Sequence, residues 1–279
     1  MKVLRMLLWL LASIVTIIGL VMALVYFSQD RMIFYPVSEL VVTPAEIGLP
    51  FEDVSIEVTD GENIHGWFVP ASSDSVTDSL YKTILFFHGN GGNISHRLET
   101  ISFIGEMETD LLIIDYRGYG RSDGSPSEDG MYADAEAAYR WLTESKGVPP
   151  ADIILFGRSL GGAVAINLAS RFKCGGLIVE SSFTSIADMG RLVYPFLPVS
   201  WLARYQFDSI SGIKSIQSPV LVTHSPDDDM IPFRMGKALF ENAPEPKQFV
   251  PLTGGHDDLG YLDHPTYREA VGRLISGRD

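Results

Sequence analysis

Ile153-Ile-Leu-Phe-Gly157-Arg-Ser159-Leu-Gly161-Gly162-Ala-Val-Ala-Ile-Asn-Leu168 is the stretch on which the rest of the chain turns. Apolar residues rich in Ile and Leu run straight into Gly-x-Ser-x-Gly, after which small and apolar residues recur at helical spacing. Strand, abrupt turn, helix is the context in which this pentapeptide forms a nucleophile elbow, a turn that lifts one serine hydroxyl above the edge of a sheet. Gly157 and Gly161 fit the same turn, because side chains there would collide with the neighbouring strand and helix as the chain reverses. Ser159 is therefore the candidate nucleophile.

Outward from this centre, short buried strands alternate with helical stretches. Thr83–His88 is a continuously apolar strand that ends in Gly89-Asn90-Gly91-Gly92-Asn93, directly before a helix expected over 95–108. Asp110–Asp115 is the next strand, and a helix through Ala133–Leu142 follows. Ile153–Phe156, Leu177–Val179, Val220–Thr223 and Gln248–Val250 supply further strands. Strands apolar on both faces, separated by helices, call for a mostly parallel central sheet flanked by helices. Upstream, Phe51–Val58 alternates polar and apolar, Asp60-Gly61 is turn chemistry and Ile64–Val69 follows, which reads as a pair of edge strands with His65 on the sheet surface. In parallel sheets ligands bind beyond the carboxyl ends of the strands. His88, Ser159, Asp227 to Asp229 and His256 all fall at such ends.

A serine hydroxyl is a weak nucleophile at neutral pH and needs an imidazole base, itself oriented by a carboxylate. In this fold the chain order is serine, acid, histidine. The acid belongs after the strand ending at His224, where Asp227, Asp228 and Asp229 all qualify. The base belongs in Thr253-Gly-Gly-His256-Asp-Asp, favoured over His264, which sits in Asp-His-Pro at a helix start. His88 and His224 read as loop-shaping donors. The Gly run after His88 opens a helix and so suits an oxyanion site.

Residues 181–210 interrupt the alternation: apolar and aromatic, yet broken by Pro195 and Pro198, they suit either a lid over Ser159 or a crossover packed on the sheet. The lid reading covers 183–210, with Phe183, Leu192, Tyr194, Phe196 and Trp201 as candidate substrate-pocket residues. At the other end of the chain, Met6–Phe27 carries no charge in 22 residues, about 33 Å of helix, enough to cross a hydrocarbon core. Lys2 and Arg5 precede it, whereas Asp30 and Arg31 cancel after it, so the N-terminus is expected to stay cytoplasmic and the body to lie on the other side. The run is longer than a typical signal-peptide core and no clear Ala-x-Ala site follows it, which favours an uncleaved anchor over 1–30, a connector over 31–50 and a catalytic domain over 51–279. Phe34-Tyr35-Pro36 in the connector suits either the domain surface or the membrane surface.

The formal charge of -14 argues against a nucleic-acid partner. Cys174 is the single cysteine, so there is no internal disulfide, and its setting before an apolar strand reads as packed rather than reactive.

Several runs carry a resemblance: Phe87-His-Gly-Asn-Gly-Gly-Asn-Ile-Ser-His-Arg-Leu98, Asp115-Tyr-Arg-Gly-Tyr-Gly-Arg-Ser122, Gly157-Arg-Ser-Leu-Gly-Gly162, Glu180-Ser-Ser-Phe-Thr-Ser-Ile186, His224-Ser-Pro-Asp-Asp-Asp-Met-Ile-Pro232 and Gly255-His-Asp-Asp258. In these the chain resembles the BEM46-like branch of the α/β-hydrolase superfamily, the membrane-tethered group that includes α/β-hydrolase domain-containing protein 13. The resemblance covers Phe51 to the C-terminus. It implies an α/β-hydrolase fold, a serine hydrolase without metal or organic cofactor, Ser159 as nucleophile, His256 as base, Asp228 as acid, and oxyanion amides on Leu160 and Asn90. Ser225 departs from the usual glycine of the acid loop, and Pro226 follows it. The expected activity is cleavage of carboxylic esters or thioesters, small or lipid-like, in the carboxylesterase class. Two other readings are an aminopeptidase or dipeptidase, with Glu180 attracting a substrate ammonium, and a non-catalytic membrane-tethered scaffold.

Overall fold

The computed structural model describes residues 2–71 and 82–277. Its centre is an eight-stranded sheet: β1 (Glu52–Glu57), β2 (Asn63–Val69), β3 (Thr83–Phe87), β4 (Asp110–Ile114), β5 (Ile153–Arg158), β6 (Gly176–Glu180), β7 (Val220–His224) and β8 (Lys247–Pro251). The spatial order is β8-β7-β6-β5-β3-β4-β2-β1. β3 to β8 run parallel, while β2 is antiparallel to both β1 and β4. The elbow strand β5 thus lies mid-sheet, between β3 and β6. Parallel strands need crossovers, and the helices α2 (Leu98–Gly105), α3 (Glu128–Arg140), α4 (Leu160–Arg171), α8 (Phe233–Asn242) and α9 (Pro265–Ser276) supply them or cover the sheet.

Alternate residues of each strand feed two cores. Leu85, Phe87, Leu155, Leu177 and Val222 face one side with α3 and α4, while Ile84, Phe86, Phe156, Ile178 and Leu221 face the other with α2 and α9. Covering on both faces is why these strands read as unbroken apolar runs. α3 starts at Glu128, five residues before the expected Ala133. Ser127 caps it by accepting the Gly130 N–H, and Glu128 and Asp129 occupy the first turn, where acidic side chains are favoured. His65 is buried, contrary to the surface placement expected for it: its ring lies between Asp53 (2.5 Å) and Asp115 (3.5 Å).

α1 spans Lys2–Ile33, and it is long and apolar enough to cross a membrane. It continues past the boundary drawn at residue 30, because Asp30 and Arg31 are compatible with helix and the Asp30 carbonyl still accepts the Phe34 N–H (3.0 Å). From there the connector lies along the domain. Phe34 is buried against Tyr205 and Phe207, and Tyr35 and Pro36 pair in parallel with Gly91 and Gly92. Between β6 and β7 the chain forms α5 (Ile186–Val193), α6 (Val199–Leu202) and α7 (Ser209–Gly212). α6 packs beside the end of α1.

Candidate active site

Ser159 sits between β5 and α4 with φ 55° and ψ -118°, a left-handed backbone that a non-glycine residue adopts only under constraint. The constraint is visible. Ser159 N–H donates to the Glu180 carbonyl (2.9 Å), and the Ser159 carbonyl accepts the Ser182 hydroxyl (2.8 Å) and the Gly162 N–H (3.0 Å). Both glycines of the elbow are required by close approach: a Cβ on Gly157 would strike the backbone of Gly161 and Gly162, and one on Gly161 would strike the carbonyls of Phe87 and His88. The serine is 9% exposed, with its Oγ aimed at the loop after β8.

That loop delivers His256. The Ser159 hydroxyl donates to His256 Nε2 (3.1 Å), and His256 Nδ1–H donates to Asp228 Oδ2 (2.8 Å). Of the three neighbouring aspartates, Asp228 alone turns its carboxylate fully inward. Its Oδ1 accepts the N–H groups of Met230 (2.9 Å) and Ile231 (2.7 Å), and its Oδ2 also lies 3.2 Å from His224 Nε2. Burial alone would raise this carboxyl. The hydrogen bonds from His224, His256 and the Ile231 N–H outweigh it and hold the group far below the usual carboxylate range, so it stays ionised. Asp227 is exposed.

Several supporting residues escape a motif-based reading. Asp229 accepts the His256 N–H (3.0 Å) and Arg158 donates to the His256 carbonyl (2.7 Å), so both peptide groups of His256 are tied down. Arg158 is paired across the sheet with Glu180, whose carboxylate accepts the hydroxyls of Tyr261 (2.5 Å) and Tyr267 (2.6 Å) and lies 3.6 Å from Arg158 Nε. Glu180 is 1% exposed and fully engaged, which corrects its reading as a site for a substrate ammonium. A charged residue at the end of an apolar strand was the one signal that could have singled out Arg158. Ser225, in the place of a glycine, donates to the Gly254 carbonyl (2.6 Å) and so joins the acid loop to the histidine loop. His224 Nε2–H also donates to the Ile231 carbonyl (2.9 Å), and His88 Nδ1–H donates to the Gly89 carbonyl (2.7 Å). His88 is fully buried, and burial, reinforced by the Arg97 charge, pulls its pKa down to about 3.

Leu160 opens α4, where the first N–H groups of a helix lack an intrahelical acceptor. Asn90 lies beside it, its side chain occupied: Oδ1 accepts the Tyr119 hydroxyl (2.8 Å) and the Tyr35 N–H (3.3 Å), and Nδ2 donates to the Ile33 carbonyl. Ser159, Leu160 and Asn90 line one cavity of about 560 Å³. Phe183 and Tyr194 line it too. Leu192, Phe196 and Trp201 do not, with Phe196 98% and Trp201 86% exposed on the outer side of the same segment. The reason is helical period: α5 turns Ile186, Met189 and Val193 inward, which leaves Leu192 off that face. His264 is exposed at the start of α9 and makes no contact with Ser159.

Sheet order, elbow and the serine–histidine–aspartate arrangement together define an α/β-hydrolase. The fold matches that of an esterase from Pyrococcus furiosus, with a TM-score of 0.71 over 88% of this chain and 99% of that one at 18% identity. In sequence, residues 78–205 match the family described as Serine aminopeptidase, S33. An uncharacterized protein of Mycobacterium tuberculosis is 36% identical over 92% of this chain and 90% of its own. The α/β-hydrolase domain-containing protein WAV2 of Arabidopsis thaliana is 34% identical over 79% and 77%, and the lysophosphatidylserine lipase ABHD12 of Xenopus tropicalis is 33% identical over 81% and 66%. The chain belongs to the α/β-hydrolase family, and these relatives are consistent with its BEM46-like branch.

Proposed function

We propose that the protein is a membrane-anchored serine hydrolase that cleaves carboxylic esters or thioesters of acyl-bearing substrates. The observation that carries this reading is the unbroken hydrogen-bond chain from Ser159 through His256 to Asp228, with Ser159 lining a largely apolar cavity. With its Nδ1 proton held by Asp228, His256 presents the Nε2 lone pair to Ser159. Ser159 Oγ attacks the acyl carbonyl as its proton passes to Nε2, and the imidazolium returns that proton to the departing alcohol or thiol. Water then repeats the sequence on the acyl-enzyme. The amides of Leu160 and Asn90 are assigned to the oxyanion, for which fixed N–H donors in a dry site are worth several kcal/mol, about 3 for each.

An aminopeptidase needs a group to hold the substrate ammonium. Glu180 is occupied elsewhere, and among the described residues no carboxylate lines the cavity, whose one ionic side chain is Arg31. The uncleaved-anchor reading is supported by the contacts of Gln29 and Asp30 with the domain, which a cleaved leader would forfeit. With Lys2 and Arg5 before the span, the catalytic domain is assigned to the non-cytoplasmic side. A fluorophosphonate is expected to label the full-length protein and not Ser159→Ala, and p-nitrophenyl ester turnover is expected to vanish with the label. Undiminished labelling of the variant, or anilide turnover exceeding ester turnover, would overturn the assignment.

A further inference from the structure

The face of α1 turned toward the domain recurs every three to four residues: Met22, Val25, Gln29, then Met32 and Ile33, each at least partly covered, whereas the residues between them are largely open. One cavity holds both Ser159 and four members of this face, Val25, Gln29, Met32 and Ile33. Val25 belongs to the uncharged run Met6–Phe27, two residues from its end, about 3 Å along the helix axis. The catalytic cavity is therefore bounded by a segment whose apolar length places it in the hydrocarbon boundary.

The polar residue on this face is used as a clasp. Gln29 Nε2 donates to the Leu202 carbonyl (2.8 Å), and Gln29 Oε1 accepts the Arg204 N–H (2.8 Å). Asp30 accepts the Tyr205 hydroxyl and lies 3.4 Å from the Arg204 guanidinium. These bonds fix the chain after α6 to α1 and hold α5 and α6 over the serine. The outer side of that roof carries Phe196 and Trp201, both exposed, and α1 itself presents exposed apolar side chains such as Leu24 and Phe27. A surface of this kind at the end of a membrane span is suited to the acyl–headgroup boundary, where aromatic side chains settle.

We infer that the last turns of α1 form the acyl-chain wall of the active site, and that the substrate is a bilayer-resident ester whose chain reaches Ser159 along Val25, Met32 and Ile33. This rests on the hydrolase reading above. It makes Val25 a specificity-determining residue: the helix that would anchor the enzyme also measures the chain it cleaves. Gln29 is a positioning residue, acting through the roof.

The test uses the full chain in lipid nanodiscs, with p-nitrophenyl acetate and p-nitrophenyl dodecanoate as probes. Val25→Trp, which fills the wall, is expected to lower the ratio of kcat/KM for dodecanoate over acetate at least tenfold. Leu24→Trp, turned about 100° away from Val25 around the helix and 70% exposed, is expected to leave that ratio at its wild-type value. A ratio unmoved by Val25→Trp, or moved equally by both variants, overturns the inference while Ser159-dependent acetate turnover leaves the hydrolase reading standing. Loss of that turnover in the wild-type protein would sink both.

Discussion

The floor and the roof of the cavity beside Ser159 are built by opposite means. On the floor every group sits at a strand end or in a loop tied to one: the His256 peptide is held on both sides by Asp229 and Arg158, and its ring by Asp228. The roof is α5, α6 and the end of α1, apolar surfaces in loose contact with a few polar bonds at Gln29 and Asp30. Reaction geometry tolerates errors of only a fraction of an ångström, so it belongs on the parallel sheet. Substrate choice belongs to segments that can change without disturbing the sheet. One consequence is that chemistry and specificity should fail separately.

The largest effect expected from breaking the floor is that of Asp228→Asn. The substitution keeps the shape but removes the carboxylate that fixes the His256 tautomer, so kcat/KM should fall about a thousandfold or more, on the order of 4 kcal/mol of transition-state stabilisation. Asp227→Asn, on an exposed side chain one residue away, should stay within about threefold of wild type. Equal losses in the two variants, measured with a short soluble ester, would remove the distinction between Asp228 and Asp227.

How legible each region was in the sequence follows the same division. The elbow, β3, β4 and β5 could be read directly, because strands covered on both faces leave unbroken apolar runs, and Gly157 and Gly161 mark the turn between them. His256 could be placed by chain order. Asp228 could not be separated from Asp227 and Asp229 by pattern, since the choice rests on which carboxylate meets His224 and two backbone N–H groups, a matter of loop conformation. In the roof, Leu192, Phe196 and Trp201 drew attention by hydrophobicity alone. That signal does not say which side of an apolar segment faces a cavity when both sides are apolar. Gln29 was silent for a related reason: one amide after an apolar span looks like an ordinary helix end, and its partners lie more than 170 residues away.

A second test concerns the rigidity of the floor under acid. His88 is fully buried and held neutral with its pKa near 3, below the ordinary histidine value of 6.5 in the unfolded chain. The unfolded state therefore binds the extra proton first. His88's contribution is complete above about pH 6.5 and is lost as the pH falls toward 3, which amounts to about 2 kcal/mol at pH 5. Unfolding free energies from urea titrations in detergent at pH 7 and pH 5 should differ less for His88→Gln than for the wild-type protein, by roughly that amount. The groups facing His88 are Asp115 (3.6 Å from Nε2), Arg97, His96 and the rings of Tyr116 and Tyr119, so the comparison between variants isolates its share. Identical pH dependence in the two proteins would show that the loop under Asn90 is not held by a neutral imidazole.

The smallest effect belongs to the roof. Gln29→Ala removes two hydrogen bonds between α1 and the chain after α6, each worth about 1 kcal/mol when its partner is left facing water. The Asp30 contacts and the apolar packing of α5 remain, so the domain should stay folded with Ser159 still reactive toward a small fluorophosphonate. What should change is local opening. The Arg204 amide, which donates to Gln29 in the native protein, should exchange its hydrogen about five- to tenfold faster, with neighbouring amides of α6 following. Amides of β5 should keep their protection, since strands at the sheet centre open only with the whole domain. A chain shortened to begin at Arg31 loses Gln29 and Asp30 together and should show the larger acceleration of the two. If Arg204 exchange is unmoved in both proteins, the roof is not clasped by α1, and a chain cut at that point would separate membrane residence from substrate choice cleanly.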